Sequence, residues 1–164
     1  MTIKTFNINS DKTAYVKAYL PDSIAGLPFC EKRPAMIIFP GGGYEFCSDR
    51  EGEPIAFQYL AMGYAAFVVT YACNEKFHEP LMDAAYIFYK IRMRAEEFGI
   101  DPQKMAVLGC SAGGHLAGCL ATMWSDVMLT KTIGCEPEDL RPNAAVLCYP
   151  VISGVTAPHE GSFK

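Results

Sequence analysis

The segment Gly109-Cys110-Ser111-Ala112-Gly113-Gly114 sets a serine between glycines two residues to either side. A serine hydroxyl is a weak nucleophile until a neighbouring base takes its proton and fixed N–H groups receive the charge that develops on the attacked carbonyl oxygen. Lys104 to Leu108, just before the segment, reads as a strand, and Ala112 to Trp124, just after it, as a helix. On a strand-to-helix turn that sharp, a side chain on either flank would collide with neighbouring backbone, so glycines are needed there. The serine then stands at the tip of the turn. The N–H of Ala112, at the start of the helix, can donate to a developing oxyanion. The chemistry these residues could do is acyl transfer.

A second glycine motif, Pro40-Gly41-Gly42-Gly43-Tyr44, ends an earlier apolar run. Three successive glycines let the backbone approach a substrate closely and aim N–H groups at one point, as an oxyanion hole requires. A phosphate cradle is the competing reading. The first loop lacks the Gly-x-Gly-x-x-Gly pattern because Phe46 occupies its last position. Gly109 and Gly114 have the Gly-x-x-x-x-Gly spacing, but His115-Leu116 replaces the Lys and Ser/Thr that a nucleotide loop uses for countercharge and metal. A turn with no chemistry is the other alternative.

The elements that must carry these loops alternate along the chain. Thr13 to Leu20 alternates polar and apolar residues, which predicts a strand of an opening antiparallel hairpin. Ala35 to Phe39 is continuously apolar, as in a strand covered on both faces. A helix follows over Pro54 to Met62, a buried strand over Ala65 to Tyr71, and a long helix over Pro80 to Phe98 closed by Gly99. Ala144 to Tyr149 is one more strand. This alternation predicts an α/β fold with a mostly parallel sheet, helices on both faces and reactive loops at the C-terminal strand ends.

At 164 residues and 51% hydrophobic composition, the chain has material for one sizeable core, so residues 1–164 are read as a single domain. A net charge of -4 without a basic run gives no footprint for nucleic acid or an anionic membrane. A small-molecule partner suits it better. Met1 to Ser10 lacks the features of a signal peptide and no apolar run is long enough to span a bilayer, so a soluble, cytoplasmic protein is expected. Seven cysteines occur singly, without zinc-ligand spacing, and are read as reduced, mostly buried residues.

Together, Pro-Gly-Gly-Gly-Tyr at 40–44, Arg-Glu-Gly-Glu-Pro-Ile-Ala at 50–56, Leu-Gly-Cys-Ser-Ala-Gly-Gly-His-Leu-Ala at 108–117 and Tyr-Pro-Val-Ile-Ser at 149–153 resemble the α/β-hydrolase esterases grouped with acetyl-xylan and feruloyl esterases, neighbours of the hormone-sensitive-lipase group. The resemblance covers Pro34 to the end. It implies a serine carboxylesterase of short acyl esters, acetyl esters of sugars among them, with Ser111 as nucleophile and the N–H groups of Gly42, Gly43 and Ala112 as oxyanion hole. It implies no metal and no cofactor. Pro40 stands where the lipase neighbours often have His, leaving the glycine donors untouched.

In this fold the catalytic acid and then the base follow the serine in the chain. His78 precedes Ser111, and His115 begins the helix behind it, where it is expected to pack or hydrogen-bond inside. His159 follows, but the only aspartates after the serine, Asp126 and Asp139, precede the last strand. His159 is therefore read as a loop residue. Asp83 is read as an anion in the first turn of its helix, and Arg50 and Glu51 as loop braces. On this reading the last strands and helices of the fold are absent, and the strand 144–149 becomes an exposed sheet edge that invites self-association. A catalytically silent remnant and a serine peptidase of the same fold are the rival functions.

Overall fold

The continuously apolar segments form the middle of a six-stranded sheet with strand order β1-β2-β4-β3-β5-β6 in a computed structural model that describes residues 1–7, 14–24, 26, 27, 31–153 and 155. β1 (Thr2–Asn7) and β2 (Tyr15–Leu20) make the antiparallel opening hairpin, and β2 continues antiparallel onto β4 (Ala65–Thr70). β3 (Arg33–Phe39) lies parallel to β4 on one side and to β5 (Ile100–Cys110) on the other. β6 (Ala144–Cys148) adds parallel to β5 at the edge, where Val146 and Leu147 are 38% and 40% exposed. Thr13 and His159 lie outside the described residues.

Alternate strand residues face two separate apolar layers, the expected result of a two-residue repeat. Ile37, Phe39, Phe67, Val69 and Val107 join α2 (His78–Met93) and α4 (Ala112–Met123) in the larger core. Met36, Ile38, Ala66 and Leu108 face the other way, onto Ala56, Ile55 and Leu60 of α1 (Glu53–Ala61). Helices thus cover both faces. Burying each large side chain such as Phe67 or Ile37 contributes about 1.5–3 kcal/mol.

The single helix expected over Pro80 to Phe98 is two. It starts two residues earlier, at His78, and breaks at Arg94, whose φ of -105° and ψ of 22° leave the helical region before α3 (Ala95–Phe98). Arg94 stacks over the Phe6 and Phe98 rings at 4.8 and 4.6 Å and donates to both oxygens of Glu97. These tertiary contacts override the apolar periodicity. The earlier start moves Asp83 out of the first turn; its Oδ2 instead accepts the Ala72 N–H at 2.9 Å. β5 is also longer than the apolar run, because a register shift between Arg33 and Ala35 lets the polar stretch around Gln103 bulge while Ile100 stays paired.

Two short helices, α5 (Val127–Ile133) and α6 (Pro137–Leu140), fill the stretch before β6, the first capped by Asp126 accepting the Met128 N–H at 2.7 Å. Buried Arg92 of α2 donates to the carbonyls of Glu138, Asp139 and Arg141, fixing where the chain turns into β6. No helix among the described residues is long and apolar enough to cross a membrane.

Candidate active site

Strand register brings the two glycine motifs together. Phe39 pairs with Gly109, and Cys110 with Cys148, so the chain leaving β3, β5 and β6 presents Gly41, Ser111 and Tyr149 side by side at the C-terminal edge of the sheet. The helix after β3 lies on one face and the helix after β4 on the other. α4, which follows β5, lies on the face opposite α1, so the chain leaves the adjacent strands β3 and β5 in opposite directions, the switch point at which open α/β sheets hold their ligands.

Ser111 has φ 52° and ψ -117°, outside the regions open to an L-residue without strain. Its backbone is fixed on both sides: its N–H donates to the Cys148 carbonyl at 3.0 Å, and its carbonyl accepts from His115 at 3.0 Å and Val151 at 3.3 Å. The flanking glycines are sterically required. A methyl at Gly109 would lie 2.0 Å from the Gly113 carbonyl oxygen, and one at Gly113 would lie 2.1 Å from that of Phe39. Strand, turn and helix close on one another here with no room for a Cβ.

The glycine loop after β3 packs against this turn. A methyl on Gly41 would come within 3.0 Å of Ser111 Cβ and 2.7 Å of the Cys110 carbonyl oxygen. Gly41 donates its N–H to Glu51 Oε2 at 2.7 Å, and Glu51 Oε1 accepts the Tyr149 hydroxyl at 2.8 Å. Glu51 is thus the brace that the sequence suggested, and it occupies the first glycine N–H of the run. Among the described residues, no hydrogen bond takes the N–H of Gly42, Gly43 or Ala112. Gly42 adopts φ 132° and its carbonyl accepts from Glu45 and Phe46, which turns the chain back over itself.

Aromatic residues hold the loop from beneath. Tyr71 donates its hydroxyl to the Pro40 carbonyl at 2.5 Å, and Asn74 donates its N–H to the Tyr44 carbonyl at 2.7 Å. The Tyr44 hydroxyl lies 2.8 Å from His115 Nδ1, and Cys119 Sγ lies 3.4 Å from Nε2. Burial lowers the His115 pKa below its ordinary value and raises that of Tyr44, so both are neutral near pH 7. A neutral imidazole that accepts from Tyr44 presents its other nitrogen as N–H toward Cys119. His115 is half-buried and held by these contacts, as its place at the head of the helix implies.

His78, the first residue of α2, is more than half exposed, with Nε2 3.0 Å from Glu79. Cys110, beside the serine, has its thiol pushed up to about 11, chiefly by burial, which leaves it protonated and a poor rival nucleophile. Sequence reasoning missed the Tyr44–His115 contact and the joint role of Glu51 with Tyr149. The tyrosine directly after the three glycines was the signal available for the first; nothing in the local sequence ties Tyr149 to Glu51, 98 residues away.

A parallel sheet with antiparallel opening strands, helices on both faces and a strained serine turn after the fifth strand defines an α/β hydrolase. The chain belongs to the BD-FAE family, which it matches over residues 27–153. It is 32% identical over 151 residues to an acetylxylan esterase of Xylanibacter ruminicola, covering 91% of this chain and 28% of that protein. Against endo-1,4-β-xylanase B of Butyrivibrio fibrisolvens it is 35% identical over 140 residues, covering 81% and 22%. Among solved structures it resembles MGS-M1, an α/β hydrolase from a Medee basin deep-sea metagenome library, with 45% identity, a TM-score of 0.80 and coverage of 92% of this chain and 57% of that one. The acetyl ester-xyloside bifunctional hydrolase of Caldicellulosiruptor lactoaceticus also gives a TM-score of 0.80, at 31% identity and coverage of 97% and 61%. The chain thus spans about a quarter of those curated relatives and about three-fifths of those structures.

Proposed function

We propose that this chain carries the nucleophile and the oxyanion-binding half of a carboxylic ester hydrolase acting on short acyl esters, acetyl esters of sugars among them. Ser111 Oγ attacks the acyl carbon and its proton passes to a general base. The N–H groups of Gly42, Gly43 and Ala112 hold the oxygen of the tetrahedral intermediate, which collapses to an acyl-serine and the free alcohol. Water then releases the acid. The observation that carries this reading is Ser111 at positive φ, packed against Gly41 between two glycine-enforced turns. The sugar-ester substrate rests on the acetylxylan esterase and acetyl ester-xyloside hydrolase among its relatives.

The base is not one of the two described histidines. His115 has its ring nitrogens against Tyr44 and Cys119, and His78 sits beside Glu79 on an exposed helix end. The base therefore comes from outside the described residues. That same observation favours a second reading, in which the chain alone binds an acyl group at Ser111 and turns it over slowly or not at all. A chromogenic acetate ester separates the readings: hydrolysis lost in Ser111→Ala supports the esterase, and equal rates in the two proteins remove it.

A further inference from the structure

Cys47 and Cys73 lie far apart in the sequence and have nothing in their spacing to pair them, yet their sulfurs are 3.8 Å apart. Both face the Tyr71 carbonyl oxygen, Cys73 at 3.4 Å and Cys47 at 3.9 Å. The contact is set by backbone on both sides. Cys73 stands between Ala72, whose N–H is held by Asp83 at 2.9 Å, and Asn74, whose N–H is held by the Tyr44 carbonyl at 2.7 Å. Cys47 stands between Phe46 and Ser48, whose N–H groups donate to the carbonyls of Gly42 and Gly41 at 3.3 and 2.9 Å. Both cysteines are half-buried rather than enclosed in the core.

From this arrangement we propose that Cys47 and Cys73 are a modification site: a thiol pair that a small-molecule disulfide oxidises to an intrachain disulfide, stapling the Gly41–Gly43 loop to the chain leaving β4. The Cys73 thiolate attacks the oxidant RSSR, forming Cys73–S–SR and releasing RS⁻. Cys47, as thiolate, attacks the Cys73 sulfur and expels the second RS⁻. Two protein thiols and one RSSR become one protein disulfide and two RSH. Cys73 is the attacking group because its contact with Cys47 lowers its pKa, while the same contact and burial raise that of Cys47. Cys110 and Cys148, partners in the β5–β6 register, are the competing pair.

The test is oxidation of the native full chain with glutathione disulfide, alkylation of the remaining thiols, digestion and mass mapping. The expected result is a Cys47–Cys73 linked peptide that exceeds any other intrachain pair by about tenfold or more, as a preformed contact should, and that disappears on reduction. The preference should vanish in concentrated urea. In Cys47→Ser, Cys73 should stop at the glutathione adduct, whereas in Cys73→Ser, Cys47 should acquire little. Wild-type chain in which both cysteines end alkylated or glutathionylated, or in which Cys110–Cys148 or another pair dominates, would overturn the proposal, as would an unchanged preference in urea. The mapping needs no ester hydrolysis, so it stands or falls separately from the esterase reading.

Discussion

The Tyr44 hydroxyl meets His115 Nδ1 at 2.8 Å, tying the glycine loop that ends β3 to the helix that begins beside Ser111. Phe77 and Tyr71 pack around the same ring of Tyr44, so the contact is half-buried and partly shielded from water. Tyr44→Phe removes this hydrogen bond and should cost about 1–2 kcal/mol in urea unfolding.

Because burial lowers the His115 pKa, the unfolded chain binds that proton more readily than the folded one. Its neutral form is favoured in the fold, so stability is fully present above the unfolded value of 6.5 and declines as pH falls through the window beneath it. Urea midpoints measured from pH 7.5 downward should show this loss, and His115→Gln should flatten the part of the slope due to this residue.

Strain at Ser111 gives an opposite kind of expectation. Its φ of 52° suits glycine, so Ser111→Gly should stabilise the fold by about 1 kcal/mol, while Ser111→Ala, which keeps a Cβ, should not. Paired thermal melts of the two variants would read the difference.

Gly113 and Gly118 lie on one helix and should respond in opposite directions. A Cβ at Gly113 meets the Phe39 and Pro40 carbonyl oxygens at 2.1 and 2.4 Å, so Gly113→Ala should cost about 3 kcal/mol or more or abolish folding. At Gly118 it meets only Leu147 methyl groups at 3.6 and 3.9 Å, so Gly118→Ala should gain about 0.5–1 kcal/mol from helix propensity. Denaturant midpoints decide both.

Glu51 holds Gly41 and Tyr149 with its two oxygens. Removing it in Glu51→Ala should release the loop, lower stability by about 1–3 kcal/mol and slow fluorophosphonate labelling of Ser111 about tenfold. Glu51→Gln keeps an acceptor for Gly41 and offers an N–H to the tyrosine oxygen, and it should retain most of both.

Much of this was legible in the sequence, for identifiable reasons. The strands from Ala35 to Phe39 and from Ala65 to Tyr71 announce themselves because both faces are covered, and that needs apolar residues throughout. The two glycine motifs are visible because the steric requirement at Gly42, Gly109 and Gly113 admits one residue type. The break at Arg94 was hidden, since it depends on stacking against Phe6 from the opening hairpin. The tie from Glu51 to Tyr149, the Asp83 brace and the approach of Cys47 to Cys73 arise from strand order, which local periodicity does not encode.

The proposed function makes Ser111 a poised nucleophile with an anion hole beside it. Fluorophosphonate labelling of the folded chain, mapped by peptide mass, tests it most directly. A single adduct is expected on Ser111, absent from Ser111→Ala and from urea-unfolded chain. A cooperatively folded chain that takes no label at Ser111, or labels equally in Ser111→Ala, would contradict it.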